Sequence, residues 1–194
     1  MNFLAHIYLS GDNEDLILGN FIADSIKGKK YLRYPHGVQK GILLHREIDS
    51  YTDSHPIVKR STAKLHKNYS HYSGVIVDIF YDHFLASRWE DYSSVPLENF
   101  VSNFYKLLQQ RFDLLPAPIQ NFLPYMVSEN WLLSYASIDG IARILYQMNI
   151  RTKNIVQMDK AVNDLKEHYH DFSNDFQEFF PELQKFSEAK IASL

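Results

Sequence analysis

The segment from Val75 to Ala86, VIVDIFYDHFLA, sets the strongest constraint on the fold. It is apolar almost all round, which is the pattern of a helix buried at the centre of a protein. Yet it carries Asp78 and Asp82, four residues apart, and His83 beside them. No Lys or Arg lies between Ser70 and Ser87. An unpaired carboxylate on a buried helix costs several kcal/mol, so another element must supply donors or a cation. A chain with such a helix must wrap it, and must bring a partner to its charges.

The rest of the chain has the means to wrap it. There are only seven Gly, and 13 each of Phe and Tyr. Alternation of Val, Ile and Thr is scarce, so the expected class is all-α, a multi-helix bundle forming a single domain over residues 1–194. Met1–Ser10 places Phe3, Leu4, Ile7 and Tyr8 at helical spacing. Asp12 or Asn13 is expected to cap a helix running to about Lys27 and closed by Gly28. Pro35 opens a helix whose stripe Val38, Ile42, His45, Asp49 and Thr52 follows one face. Pro56 suits the first turn of another, ending near Asn68. Helices are expected from Pro96 to the break at Leu115–Pro118, then over Phe122–Tyr135, Ile138–Met148 and Ile155–Phe172, with Pro181 interrupting the last stretch.

The stripe on the third helix matters chemically. His45 and Asp49 continue an apolar line, so both point inward from one face, one turn apart. Asp24 sits in Gly19-Asn20-Phe21-Ile22-Ala23-Asp24, four residues after Asn20. His6 follows an apolar N-terminal stretch. A His in an apolar stripe is more often a hydrogen-bonded core residue than a ligand, and a His-x-x-x-Asp pair is common. The set as a whole points to a His/Asp metal centre assembled from several helices. The chain has no cysteine, so imidazole and carboxylate are the donors, which suits Mn, Mg, Fe or Zn and a catalytic rather than structural ion. His66, His71, His168 and His170 lie in polar surroundings and read as surface residues. No Gly-rich phosphate loop, dinucleotide fingerprint or Gly-x-Ser-x-Gly elbow is present.

Charge is uneven. The formal net charge is -3, yet Lys27 to Lys67 holds ten basic residues against three acidic ones, a net of +7. A basic flank on an acidic protein suits an anionic partner as well as a solvated helix face. The run Lys29-Lys30-Tyr31-Leu32-Arg33-Tyr34 is too short for a nucleic-acid surface in a protein of this charge, so no nucleic-acid partner is expected. The N-terminus lacks a basic stretch and a long apolar run, which implies no signal peptide, no membrane partner and a cytoplasmic setting. Nothing in the pattern fixes an oligomeric state.

At these residues the chain resembles the acyl carrier protein phosphodiesterase family, an atypical branch of the helical, metal-dependent HD phosphohydrolases. The resemblance is carried by MNFLAH (1–6), GNFIAD (19–24), GILLHREID (41–49), Thr52-Asp53 and DIFYDHFL (78–85), in that order. It implies an HD-like bundle that hydrolyses the 4'-phosphopantetheine group from holo-acyl carrier protein, leaving apo-carrier protein, with manganese as the associated metal. The residues it carries over as the centre are His6, Asp24, His45, Asp49, Asp82 and His83, with Asp53 and Asp78 behind them. The usual HD pattern has His directly followed by Asp, whereas the order here is Asp82-His83. The expected chemistry is in-line attack on phosphorus by a water that the ion acidifies. His83 or His6 is then the proton donor to the leaving serine, and Arg46 or Lys27 the phosphate contact. The basic flank would steer an acidic carrier protein. Two other readings remain open: an HD-type phosphohydrolase of a small phosphoester or nucleotide, and a non-enzymatic helical interaction protein with a buried polar network.

Overall fold

In the computed structural model, which describes residues 1–194, the chain folds into eleven α-helices joined by short 3-10 turns, with no strand. In chain order they are α1 (Phe3–Tyr8), α2 (Glu14–Ile22), α3 (His36–Ser54), α4 (Pro56–Tyr69), α5 (Ser73–Ser87), α6 (Leu97–Gln110), α7 (Ala117–Ser128), α8 (Trp131–Ser134), α9 (Ile138–Arg151), α10 (Ala161–Glu167) and α11 (Tyr169–Ser193). The all-α expectation holds.

The apolar helix is α5, and it is central. Ile76, Val77, Ile79, Phe80, Tyr81, Phe84 and Leu85 are fully buried. It meets α1, α4, α9 and α11. Phe172, Phe176 and Phe179 of α11 pack edge-on or tilted against Phe80, Tyr81 and Phe84, the geometry aromatic rings favour.

Boundaries differ from the sequence expectation in four places, one being the stretch 122–135, where α7 already starts at Ala117 and left-handed Asn130 separates it from α8. α2 starts on the Asn13 cap, whose side chain accepts from Asp15 and Leu16 N–H, but it ends at Ile22 rather than near Lys27. A 3-10 turn, Ala23–Ser25, follows, and this change of pitch directs Asp24 toward α3. The stretch 155–172 is split between α10 and α11 rather than continuous. Pro181 lies inside α11 and does not stop it. Phe179, Phe180 and Leu183 are buried around it, so packing on the core outweighs the one backbone hydrogen bond a proline removes.

α2 and α3 form the most extensive helix pair of the fold. They cross at Gly19 and Gly41. A Cβ on Gly41 would lie 2.4 Å from the Leu16 carbonyl oxygen and 2.8 Å from Gly19 Cα. Those are backbone atoms and cannot swing aside. The missing side chains let two backbones touch, so that Asn20 and Asp24 reach His45 across the seam. Gly41→Ala is expected to lower stability by about 1–3 kcal/mol. The clash exceeds the ~1 kcal/mol that Ala gains over Gly in a helix. The melting temperature should fall by several degrees, read by circular dichroism; an unchanged or raised value would contradict the tight crossing.

Candidate metal centre

His45 and Asp49 lie on the inward face of α3, with His6 reaching them from α1. His45 Nε2 is 3.0 Å from Asp49 Oδ2, and His6 Nε2 is 3.1 Å from Asp49 Oδ1. The two imidazole rings stack, with centroids 4.0 Å apart and planes within 18°. Asp24 approaches from the turn after α2, placing Oδ1 3.2 Å from the same His45 Nε2. His6 and His45 are buried, Asp49 is half-buried and Asp24 is open to solvent. The cluster is therefore buried at its imidazoles and reached from solvent at its carboxylates.

Asn20 fixes the direction of His45. Its amide nitrogen donates to the His6 carbonyl at 3.0 Å and to Ser10 Oγ at 2.8 Å. Its oxygen is therefore left to accept from His45 Nδ1, at 3.0 Å. That hydrogen bond assigns a proton to Nδ1 and aims Nε2 at the two carboxylates. The same device, a partner holding the outer ring nitrogen, orients metal-bound histidines.

The electrostatics follow from this packing. Burial alone disfavours a charge on His45, but the hydrogen bonds to Asp24 and Asp49 outweigh it and raise its pKa to about 9. Burial, and then the charge of His45, lower His6 to about 4. Burial alone would raise Asp49, yet the hydrogen bonds from His45 and His6 hold it well below the usual carboxylate range. The hydrogen bond from His45 also lowers Asp24. Without a bound cation, the proton on His45 Nε2 is what separates two anionic carboxylates.

The donor set fits a divalent ion in that proton's place. His6, His45 and Asp49 each offer a ligand atom, and all lie within 4.8 Å of one another. Donors about 2.1 Å from a common ion sit roughly 3 to 3.5 Å apart, close to the spacings between Asp49 and both imidazoles. His6 Nδ1 has no partner, so in the metal-free cluster the His6 proton is assigned to Nε2, facing Asp49.

Other residues singled out in the sequence lie elsewhere. Asp82 is completely buried on α5, and both oxygens are taken: Oδ2 accepts from Leu4 N–H at 2.7 Å and Oδ1 from Ala5 N–H at 3.2 Å. It caps α1 and so sets the height of His6. His83 is held between the Tyr135 carbonyl, 2.7 Å from Nδ1, and the Tyr169 hydroxyl, 3.1 Å from Nε2. Asp78 is 3.1 Å from the Met1 amino group. Asp53 and Lys27 are exposed. Arg46 donates to the carbonyls of Ile26 and Gly28 and lies over the Tyr31 ring, tying down the turn after Asp24. The structure thus brings together four of the six candidate ligands, His6, Asp24, His45 and Asp49, and uses Asp82 and Arg46 to position them. Asn20 was visible in the sequence only as a neighbour of Asp24 by spacing; its pairing with His45 and Ser10 depends on tertiary packing.

The basic flank also divides. Arg60 pairs with Asp175 and Glu178, and Lys64 with Asp171, so two of the four Lys and Arg of α4 are paired with acids of α11, while Lys59 and Lys67 are exposed. Lys27, Lys29, Lys30 and Arg33, on the turn beside Asp24, are exposed and form no ion pair. No helix is long and apolar enough to cross a membrane.

Fold and site together define an all-helical protein with a cluster of two buried histidines and two carboxylates that reach solvent. The family described as acyl carrier protein phosphodiesterase matches residues 1–183. Among similar proteins, one from Pectobacterium atrosepticum is 30% identical over 98% of this chain and 99% of its own length. Others from Yersinia pestis and Photorhabdus laumondii are also 30% identical over 98% of this chain, covering 99% and 96% of their own lengths. All three carry the name acyl carrier protein phosphodiesterase. No solved structure matches the chain. The chain belongs to the acyl carrier protein phosphodiesterase family.

Asp82 gives a test of the capping role. Burial pushes its pKa up to about 7, against the pull of the Met1 amine and the two backbone donors. Its folded value lies above the unfolded value of about 4. The stability it contributes is therefore full below about pH 4 and is lost as pH rises through about 7. Asp82→Asn stays neutral and leaves one buried N–H without an acceptor, a cost of about 1–3 kcal/mol. By urea unfolding, the wild type should be the more stable at pH 4, and its advantage should shrink by pH 7. An advantage that grows with pH would contradict the protonated cap.

Proposed function

We propose that this protein hydrolyses the phosphodiester joining the 4'-phosphopantetheine arm to holo-acyl carrier protein, releasing apo-carrier protein, and that it uses a divalent ion held by His6, His45 and Asp49. The observation that carries this reading is the convergence of those three donors beside the exposed Asp24, in a chain of this family. Manganese is the proposed metal; Mg, Fe or Zn would be held by the same nitrogen and oxygen donors.

When bound, a divalent ion there supplies Lewis-acid polarisation of a phosphoryl oxygen and an acidified water. The chain's own residues do the rest. Asn20 holds His45 Nδ1 and so keeps Nε2 turned to the site. Asp49 bridges both imidazoles and fixes their spacing. Asp24, ionised and open to solvent, is placed to take a proton from the attacking water and to return it to the departing serine oxygen. His83, bound on both nitrogens, has no role in that transfer. Lys27, Lys29, Lys30 and Arg33 follow Asp24 in the chain, are exposed, and would draw in an acidic carrier protein. This keeps the proposed activity in the cytoplasm, where carrier proteins serve fatty acid synthesis.

Incubation with holo-acyl carrier protein and Mn, followed by intact-mass analysis, tests the reading. The carrier should lose the mass of the whole arm. His45→Ala should reduce turnover at least ~100-fold while retaining the helical circular dichroism spectrum, because His45 is bonded to three other members of the cluster. No mass loss with the wild type would move the activity to a small phosphoester.

A further inference from the structure

A trough of about 380 Å³ opens beside the cluster, between the start of α1, the outer end of α5, α8 and α9. Its volume is in the range of small-molecule sites. Asp24, which bonds His45 Nε2, is part of its wall. The other four large cavities, around Ala86–Glu98, between Tyr8 and Ile191, beside Phe112 and Leu123, and between Ile26 and Leu115, share no residue with the cluster. The trough is therefore the concavity continuous with the proposed point of cleavage.

Its lining is mixed in a specific way. Val75, Trp131, Ile144 and Met148 supply apolar walls, and the Met1 amine paired with Asp78 lines the end near α1 and α5. Gln147 and Arg151, one helical turn apart on α9, add hydrogen-bond donors along one side. Arg151 is exposed, and Gln147 bonds to no other side chain. A phosphopantetheine arm has the matching order of groups. A branched dimethyl segment follows the phosphate, then two amides, then a thiol. Apolar walls beside the cluster suit the first, and neutral or cationic donors suit the amide carbonyls.

We propose that this trough seats the pantetheine arm of the substrate, with its phosphate end at Asp24 and the His6–His45–Asp49 cluster, and with Ile144, Val75 and Trp131 enclosing the chain. This rests on the function proposed above and adds the residues that select the arm. They act by binding, as specificity-determining contacts, and take no part in proton transfer.

The test uses free 4'-phosphopantetheine and the fluorescence of Trp131, since Trp89 is buried elsewhere. Titration into the wild-type protein should give a saturable change. Val75→Phe narrows the mouth from a position that is 38% exposed, so it leaves the core intact. Ile144→Phe narrows the middle. Each should weaken binding at least ~10-fold without shifting the melting temperature by more than a few degrees. If Ile144→Phe fails to fold, Val75→Phe decides. No saturable change with the wild type, or equal binding by Val75→Phe, overturns the trough as the seat. Arm removal from holo-carrier protein by the wild type would then still stand, so the two failures are separable.

Discussion

The structure depends on a close approach between two backbones. α2 and α3 touch at Gly19 and Gly41 because neither residue has a Cβ. Across this seam Asn20 and Asp24 come within 3.0 and 3.2 Å of the His45 ring nitrogens. With the seam closed, Asn20 sets the ring, Asp24 meets its Nε2, and Asp49 lies one turn further along the same face. A second anchor completes the arrangement. Asp82 reaches from the central helix to the first free N–H groups of α1 and fixes the helix that carries His6. A short helix of six residues gains little from its own hydrogen bonds, so this tertiary cap is what holds it.

Charge in the interior is thereby divided into two kinds. Asp82 and Asp78 are satisfied by the chain itself, through backbone donors and the Met1 amine. The cluster of His6, His45, Asp49 and Asp24 is satisfied in the metal-free state by protons between its members, with Asn20 on His45 and the Met1 amine 3.8 Å from Asp49. Both kinds looked alike in the sequence, as acids and imidazoles in apolar surroundings. The physical difference is the partner: Asp82 faces backbone N–H groups and Asp78 the Met1 amine, whereas the second group sets imidazoles against carboxylates.

Much of the architecture was legible from periodicity. The stripe Val38, Ile42, His45, Asp49 and Thr52 lies on one face of α3, all of it buried except the half-buried Asp49. The apolar run 75–86 became the central helix, although Val75 at its outer end is exposed. Helix ends were less legible. Proline at 181 signals a break only where nothing else holds the helix, and four buried residues nearby do. In the site, spacing found the residues on α3 because a helix relates positions four apart directly. It could not separate Asp82 from the cluster, since which carboxylate faces a backbone N–H and which faces an imidazole is settled between elements. Nor could it find Asn20 as the residue that orients His45, or α9 as a wall of the trough, because no periodicity links those positions.

The account turns on the claim that His6, His45 and Asp49 hold one divalent ion. Anomalous diffraction from a crystal equilibrated with Mn locates the ion without reference to activity. The account predicts a single strong peak within about 2.0–2.4 Å of His6 Nε2, His45 Nε2 and an Asp49 oxygen. A peak coordinated by Asp82 or His83, or no peak at millimolar Mn, would contradict it.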